Sequence, residues 1–162
     1  MTDGTHVRPA TPDDLAAVGA LAAKLVRMHH DTDPDRFFWV DDVETGYRRW
    51  LARELERSDA VVLVAEVGGS IVGYIYGTLE ARDWNLLLDA HGAIHDVFVA
   101  ESARRSGVGL LLVKALLAAF EDRGAERVVL SAMVGNEAAQ RTFASVGFRP
   151  TMVEMTRSKP RS

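Results

Sequence analysis

A short stretch rich in arginine and glycine has the residue types needed to bind an anion. It reads Arg104-Arg105-Ser106-Gly107-Val108-Gly109 and lies between a segment typical of a strand and a segment typical of a helix. A strand that ends in such a turn and leads into a helix leaves backbone N–H groups unpaired at the positive end of the helix dipole. Glycines in the turn would let phosphate oxygens approach the main chain. The stretch therefore predicts a pyrophosphate site, although a tight turn and close helix packing would also account for both glycines.

His95, on the predicted strand before this stretch, has the side chain best suited to proton transfer. An imidazole has an ordinary pKa of about 6.5 and exchanges its proton near neutral pH. Regular strand alternation predicts that His95 shares a face with Ala93, Val97 and Val99, and that Asp96 points to the opposite face. We therefore expect His95 to act as a general base, with Asp96 as the weaker alternative. A hydrogen-bonded strand histidine without a catalytic role is the competing interpretation.

The elements that must position these residues follow from hydrophobic periodicity and turn signals. Apolar residues recur at spacings of three and four over a first helix that begins after the Thr11-Pro12 cap and reaches about His29. The same criteria predict further helices over 41–57, 107–122 and 136–146. Strands are predicted over 7–9, 60–67, 71–79, 93–99, 127–133 and 148–156. This order of elements predicts an α/β layered domain with a mixed sheet.

The composition is that of a single globular domain. With 162 residues, of which 48% are hydrophobic, residues 1–162 can build one core, and we expect about 157–162 to form a flexible tail. The absence of cysteine excludes disulfides, thiolate metal sites and cysteine nucleophiles, and we predict no metal site. The net charge of −4 and the scattered basic residues, apart from Arg157, Lys159 and Arg161, argue against nucleic-acid binding. The first residues lack the apolar run of a signal peptide and no stretch could span a bilayer, so we expect a cytoplasmic protein without a membrane partner.

Two segments taken together resemble the motifs of the GNAT superfamily of N-acetyltransferases. Val97-x-Val99 followed by Arg-x-x-Gly-x-Gly is similar to motif A of that superfamily. Downstream, Asn136-Glu-Ala-Ala139, Phe143 and Gly147-Phe148 resemble its Asn-x-x-Ala-x-x-x-Tyr-x-x-x-Gly-Phe segment. The order of elements matches over essentially the whole chain. The resemblance implies a GNAT-like mixed, mostly antiparallel sheet of six to seven strands, flanked by about four helices, in which the central strands at 93–99 and 127–133 splay apart.

The resemblance also implies acetyl-CoA as the acyl donor. Its pyrophosphate would bind the amides of 105–110, and its pantetheine would lie along the strand at 97–99. The residues implied to bind it are Val97, Phe98, Val99, Arg104, Arg105, Ser106, Gly107, Val108, Gly109, Leu110, Asn136 and Phe143. Members similar to diamine acetyltransferases carry glutamate at the position of His95, and members similar to arylalkylamine acetyltransferases carry histidine there, which agrees with a general base.

Phe143 departs from the family pattern. Many members have tyrosine at this position, thought to protonate the departing coenzyme A, and phenylalanine has no hydroxyl to give. The sequence leaves water, backbone donors, Tyr74 and Tyr76 open as the source of this proton. It also leaves open that catalysis is slow or absent.

The resemblance implies that the acceptor is recognised by helices 1 and 2, by the loop that connects them and by the connection before the His95 strand. Acidic and aromatic residues occur there, namely Asp31, Phe37, Phe38, Trp39 and Trp84. Acids beside aromatic rings can receive an ammonium, so we expect direct transfer of the acetyl group to a small-molecule primary amine in a ternary complex. A protein N-terminal or lysine acetyltransferase is the alternative enzyme, and a non-catalytic acyl-CoA-binding module is the alternative from another class. A homodimer is compatible with the family.

Overall fold

A mixed sheet of five strands forms the centre of residues 4–160, the part of the chain that the computed structural model describes. The strands are β1 (Thr5–Pro9), β2 (Ala60–Val67), β3 (Ser70–Glu80), β4 (His91–Val99) and β5 (Val128–Leu130). They lie in chain order; β4 and β5 are parallel, and the other neighbours are antiparallel. The helices are α1 (Leu15–Thr32), α2 (Val43–Glu54), α3 (Val108–Glu121) and α4 (Glu137–Ser145), with short 3-10 turns at Pro12–Asp14 and Glu101–Ala103. The predicted order of elements is confirmed except for the last strand.

Helices cover both faces of the sheet. Along β2, Val62 and Val64 belong to the hydrophobic cluster of α1 and α2, whereas Val61 and Leu63 belong to the cluster of α3 and α4. This division follows from the two-residue repeat of a strand. Because both of its faces are buried, β2 reads as a continuous apolar run instead of an alternation of apolar and polar residues.

Two glycines let α3 lie directly on β3 and β4. A β-carbon at Gly77 would lie 2.6 Å from the Ala93 carbonyl oxygen, and one at Gly92 would lie 2.5 Å from Cδ2 of Phe120. Atoms do not pack at such distances, so both positions need glycine to accommodate the fully buried Phe120 ring. This packing fixes α3 on the sheet, and with it the position of the N-terminal turn of α3 beside the end of β4.

A β-bulge interrupts the pairing of β3 with β4. Tyr76 is paired with Asp96, but the next β3 residue, Gly77, is paired with Ile94. His95 is therefore an extra residue in the ladder. An inserted residue changes the alternation of side chains on either side of it.

The bulge places His95 on a different face from the one predicted. Its ring lies beside the Tyr76 ring, on the side of α1 and α2, with ring centroids 5.2 Å apart. Val97 and Val99 pack on the α3 side, so the prediction that His95 shares their face is wrong. Asp96, which hydrogen-bonds a tyrosine of the α1 and α2 cluster, lies on the same face as His95, and the prediction that it points the opposite way is also wrong.

β5 is paired with β4 over a short stretch and then ends. Gly92, Ala93 and Ile94 are paired with Val128–Leu130, and β4 then continues to Val99 without a strand beside it on that edge among residues 4–160. The predicted divergence of these two strands stays a prediction, because β5 is paired along its whole length, and the prediction that both strands are central is wrong, because β5 lies at the edge of the sheet. His95 is the first residue of β4 beyond the last pair.

The prediction of six to seven strands is wrong, since the described residues form five. Residues 149–160 form neither helix nor strand and are exposed throughout. Pro150 has no N–H to donate to a ladder, and the apolar side chains of Met152, Val153 and Met155 face solvent. With no neighbouring strand to pair with, the predicted strand over 148–156 does not form.

Other boundaries differ from the predictions by a few residues. β5 is shorter than the predicted strand over 127–133, α1 continues to Thr32, and α2 ends at Glu54. Arg161 and the end of the predicted tail lie outside the described residues, and the flexibility of that tail stays a prediction. No helix within residues 4–160 is long and apolar enough to cross a membrane.

Candidate active site

The loop between β4 and α3 turns through two left-handed residues. Arg105 has a φ of 59°, and Gly107, which precedes α3, has a φ of 86° that glycine adopts at little cost. Ser106 Oγ donates to a backbone carbonyl of the preceding turn (2.6 Å). The first helical hydrogen bond runs from the Leu111 N–H to the Gly107 carbonyl oxygen (3.0 Å). The amides of 108–110 therefore have no partner within the helix and lie at the positive end of its dipole.

Packing does not explain Gly109. A β-carbon at this position would meet only Cγ2 of Val99, at the ordinary contact distance of 3.7 Å. Glycine is also a poorer helix former than alanine. The missing side chain leaves the main chain of the first helical turn accessible, which favours the pyrophosphate interpretation over close helix packing.

The two arginines of the loop have different surroundings. Arg104 Nε donates to the Val99 carbonyl oxygen (3.2 Å), and its guanidinium lies 5.4 Å from the centre of the buried Phe98 ring. Arg105 is exposed. Arg104 thus holds the loop against the end of β4, whereas Arg105 can direct its charge toward an anion in the turn.

The open edge of β4 offers backbone groups to an extended ligand. The Ala100 N–H donates to the Val72 carbonyl oxygen on the β3 side (2.7 Å). Alternation along the strand then points the N–H and C=O groups of Val97 and Val99 away from β3. These groups face the edge that β5 leaves open beyond Ile94.

His95 lies on β4 just beyond its last pair with β5, and its side chain is 41% exposed. Nε2 lies 2.7 Å from Oγ1 of the buried Thr78, and the Thr78 hydroxyl also hydrogen-bonds the Glu80 carboxylate. Glu80 Oε1 lies 4.0 Å from the same nitrogen. The imidazole is therefore held through one nitrogen while part of the ring stays accessible, as proton transfer to a bound substrate requires.

Asp96 lies in a drier environment than His95. Its Oδ2 accepts a hydrogen bond from the Tyr74 hydroxyl (3.1 Å), and the Tyr47 hydroxyl also bonds to the carboxylate. Burial raises the pKa of Asp96, and the hydrogen bonds from the two tyrosines offset part of this rise. Because phenolic hydroxyls occupy its acceptor sites, Asp96 fits a structural link between α2 and the sheet better than proton transfer to a substrate.

The two tyrosines considered as proton donors are both engaged with carboxylates. Tyr74 donates to Asp96, and the Tyr76 hydroxyl donates to Oε2 of the buried Glu54 (2.5 Å). Burial raises the pKa of both tyrosine hydroxyls above their ordinary value. Both are thus weaker acids than a free phenol, and neither is well suited to protonate a departing thiolate.

Residues in and beside α4 that the sequence motif assigns to cofactor binding also have structural roles. Asn136 caps α4, since its Oδ1 accepts a hydrogen bond from the Ala139 N–H (3.1 Å). Phe143 is buried in the core, with its ring 5.9 Å from the Phe148 ring. Capping and packing account for both residues, and their contact with a cofactor stays a prediction.

The residues predicted to bind the acceptor do not form one site. Phe38 lines a cavity of about 320 Å³ between α1 and α2. Asp31 and Trp39 line a different cavity of about 570 Å³ along α1. Phe37 is half-buried against a histidine of α1, and Trp84 is 76% exposed on the connection between β3 and β4. The structure thus brings only Phe38 to the cavity between the two helices.

Sequence reasoning missed the α2 face of that cavity, which is formed by Val43, Gly46, Tyr47 and Trp50. Their spacing of three and four residues is the signal that could have found them. The Trp50 ring lies 4.9 Å from the Tyr76 ring, which in turn lies beside His95. Tyr47 also reaches Asp96. The inner wall of the cavity therefore adjoins the side chains that surround His95.

A sheet with an open strand edge beside an amide-lined loop at a helix N-terminus has the architecture of a coenzyme-A-dependent acyltransferase. Residues 24–148 match the family model described as the Acetyltransferase (GNAT) family. The chain belongs to this family, whose acetyltransferases take the acetyl group from acetyl-CoA.

Individual relatives agree with this assignment. An N-alpha-acetyltransferase from Sulfurisphaera tokodaii is 32% identical over 109 residues, which cover 64% of this chain and 65% of that protein, slightly less than two thirds of its length. A GCN5-related N-acetyltransferase from Ralstonia eutropha has a similar structure, with a TM-score of 0.72 and 26% identity over 96% of this chain and 99% of its own. The fold also matches an aminoglycoside N-acetyltransferase in complex with CoA, with a TM-score of 0.77 and 16% identity over 96% of this chain and 94% of the other.

Proposed function

We propose that this protein is an acetyl-CoA-dependent N-acetyltransferase that acts on the primary amine of a small molecule. The observation that carries the proposal is the edge of β4 that stays unpaired, within residues 4–160, beyond the end of β5, which has His95 at its start and the glycine loop at its end. Family membership supports the reaction class. The fold match to an aminoglycoside N-acetyltransferase is compatible with a small-molecule acceptor, while the relative that is an N-alpha-acetyltransferase keeps a protein N-terminal amine as the alternative.

The residues along this open edge fit an acetyl-CoA molecule. The backbone groups of Val97 and the N–H of Val99 would hold its extended arm, and the amides of 105–110 its pyrophosphate. Gly109 leaves room beside these amides, and the exposed Arg105 adds positive charge. When bound, acetyl-CoA supplies an acetyl thioester to this edge.

His95 would accept the proton that the amine must lose. An alkyl ammonium has a pKa of about 10, so at neutral pH a general base is needed to keep the nucleophilic nitrogen unprotonated. The amine nitrogen bonds to the acetyl carbon, the bond from that carbon to sulfur breaks, and the sulfur leaves with the electron pair. Because Phe143 has no hydroxyl and Tyr74 and Tyr76 are bound to carboxylates, solvent supplies the proton to the sulfur.

The cavity between α1 and α2 would hold the apolar part of the acceptor. Tyr47 and Trp50 form its wall toward the residues around His95. Phe38 and Val26 add further apolar surface, and Asp42 adds a carboxylate to the lining. These features suit an amine with an aryl or alkyl body better than a fully hydrophilic polyamine.

Release of free thiol from acetyl-CoA over a panel of aryl-alkyl amines, polyamines and peptides tests the function. For His95→Ala we expect kcat to fall about 100-fold or more, with little change in the KM for acetyl-CoA, because the exposed ring supports proton transfer and not donor binding. His6→Ala, at an exposed histidine on β1, is the matched control and should retain full activity.

Three results would contradict parts of the proposal. Undiminished turnover by His95→Ala would remove His95 as the base. Turnover confined to peptides would favour the protein acetyltransferase. Binding of acetyl-CoA without turnover on any acceptor would favour the non-catalytic module.

A further inference from the structure

The Thr78 hydroxyl stands between the His95 ring and the Glu80 carboxylate. Thr78 is 2% exposed, and its Oγ1 hydrogen-bonds Glu80 Oε1 and lies 2.7 Å from His95 Nε2. A threonine hydroxyl has one proton to donate and can accept further hydrogen bonds. A carboxylate can only accept.

These donor and acceptor rules determine where the protons lie. The hydroxyl proton must point to Glu80, since two acceptors cannot hydrogen-bond each other. Thr78 Oγ1 must then accept from His95, so Nε2 carries the ring proton. The basic lone pair of the neutral imidazole is therefore on Nδ1, to which no group within residues 4–160 is hydrogen-bonded.

We propose that Thr78 and Glu80 are positioning residues that fix the tautomer of His95 and thereby present Nδ1 as the proton-accepting atom. This inference rests on the proposed role of His95 as general base. Neither Thr78 nor Glu80 belongs to the sequence motifs described above.

The fold supports a fixed arrangement of these three side chains. Thr78 and Tyr76 lie on the same face of β3, and the bulge turns His95 toward that face. A β-branched threonine on a strand has few rotamers, so its hydroxyl is held in one direction. Regular alternation would have turned His95 to the other side of the sheet, away from Thr78.

The arrangement can support the proton transfer without passing a proton along the chain of hydrogen bonds. Nδ1 takes the proton from the amine, and the ring becomes an imidazolium. Nε2 keeps its proton and its bond to Thr78, while Thr78 keeps its bond to Glu80. The negative charge of Glu80, 4.0 Å from Nε2, then stabilises the cation.

Nitrogen NMR of the protein labelled with 15N-histidine tests the tautomer directly. We expect wild type to give the shifts of an Nε2–H imidazole for His95, identified by its absence from His95→Ala. Glu80→Gln should give a mixture of tautomers, because its amide can donate to Thr78 and let the hydroxyl donate to Nε2. Since the Glu80 side chain is 44% exposed, this variant should fold normally. In Thr78→Val, His95 should also lose its preference for the Nε2–H tautomer, whereas in Thr78→Ser it should keep that preference.

Kinetic measurements distinguish a role of Thr78 and Glu80 in positioning His95 from a role in packing alone. We expect kcat to fall about tenfold in Glu80→Gln and Thr78→Val, with the KM for acetyl-CoA unchanged, and Thr78→Ser to recover activity to within about threefold of wild type. An Nδ1–H imidazole in wild type, or an unchanged tautomer and kcat in Glu80→Gln, would overturn the inference. If His95→Ala stays fully active while the NMR result holds, the proposed base is wrong and the tautomer assignment stands.

Discussion

His95 owes its position to a single inserted residue. The bulge turns its ring to the side of Tyr76 and Thr78, where the cavity between α1 and α2 also lies. Asp96 next to it is engaged with tyrosine hydroxyls, so these two adjacent residues have different tasks. On this face, the base and the proposed acceptor cavity adjoin each other, while the glycine loop follows at the end of the same strand.

The two glycines of the loop should respond differently to alanine. Gly107→Ala should lower the free energy of unfolding by about 1–2 kcal/mol, because its φ of 86° is strained for any residue with a β-carbon. Gly109→Ala should leave stability unchanged or slightly raised, since its β-carbon meets only Val99 at 3.7 Å. It should nevertheless raise the KM for acetyl-CoA about tenfold, because a methyl group would stand between the anion and the amides.

Urea unfolding and steady-state kinetics on both variants provide the measurements. A destabilised Gly109→Ala protein would mean that packing requires this glycine after all. A stable Gly109→Ala protein with an unchanged KM would argue against phosphate binding at this turn.

At the scale of elements, α2 both packs against the sheet and lines the cavity. Leu51 is fully buried against the sheet, while Gly46, Tyr47 and Trp50 border the cavity. Gly46 lies in the helix interior, where glycine costs roughly 1 kcal/mol relative to alanine. A β-carbon there would meet no atom within 4 Å, so neither packing nor backbone conformation requires glycine. The absence of a side chain instead keeps the cavity open.

Gly46→Leu should therefore separate stability from acceptor binding. Leucine favours the helix, so thermal stability should not fall. Its side chain would fill part of the cavity, and the KM for an aryl-alkyl amine should rise at least about tenfold with no change in the KM for acetyl-CoA. Gly46→Ala is the smaller matched variant and should raise stability with a weaker effect on the amine. An unchanged amine KM in Gly46→Leu would exclude this cavity as the acceptor site.

At the scale of the whole molecule, local patterns predicted most elements but not their irregularities. The strand over 60–67 was predicted to the residue because both its faces are buried and its ends carry turn residues. The bulge at His95 was not predictable in this way, because it depends on how β4 is aligned with β3. The cavity depends on how α1 packs beside α2, because Val26 of α1 closes a wall that is otherwise formed by residues of 38–50.

The segment after α4 was mispredicted for a related reason. Its β-prone residues indicate a strand, but a strand forms only beside a partner, and residues 149–160 have none within the described chain. An exposed ion pair between Glu154 and Arg36 links it to the rest of the fold. Exposed ion pairs contribute little to stability.

Deleting residues 150–162 should consequently leave the sheet intact. We expect the Tm to change by no more than about 4 °C, because residues 150–160 contribute exposed side chains and no pairing of strands. Phe143→Ala is the contrasting variant: this ring is 7% exposed within the α3 and α4 cluster, and its loss should lower the free energy of unfolding by about 3 kcal/mol. Calorimetry on both proteins makes the comparison. A deletion variant as unstable as Phe143→Ala would mean that the segment does pair with the sheet, as the sequence pattern first indicated.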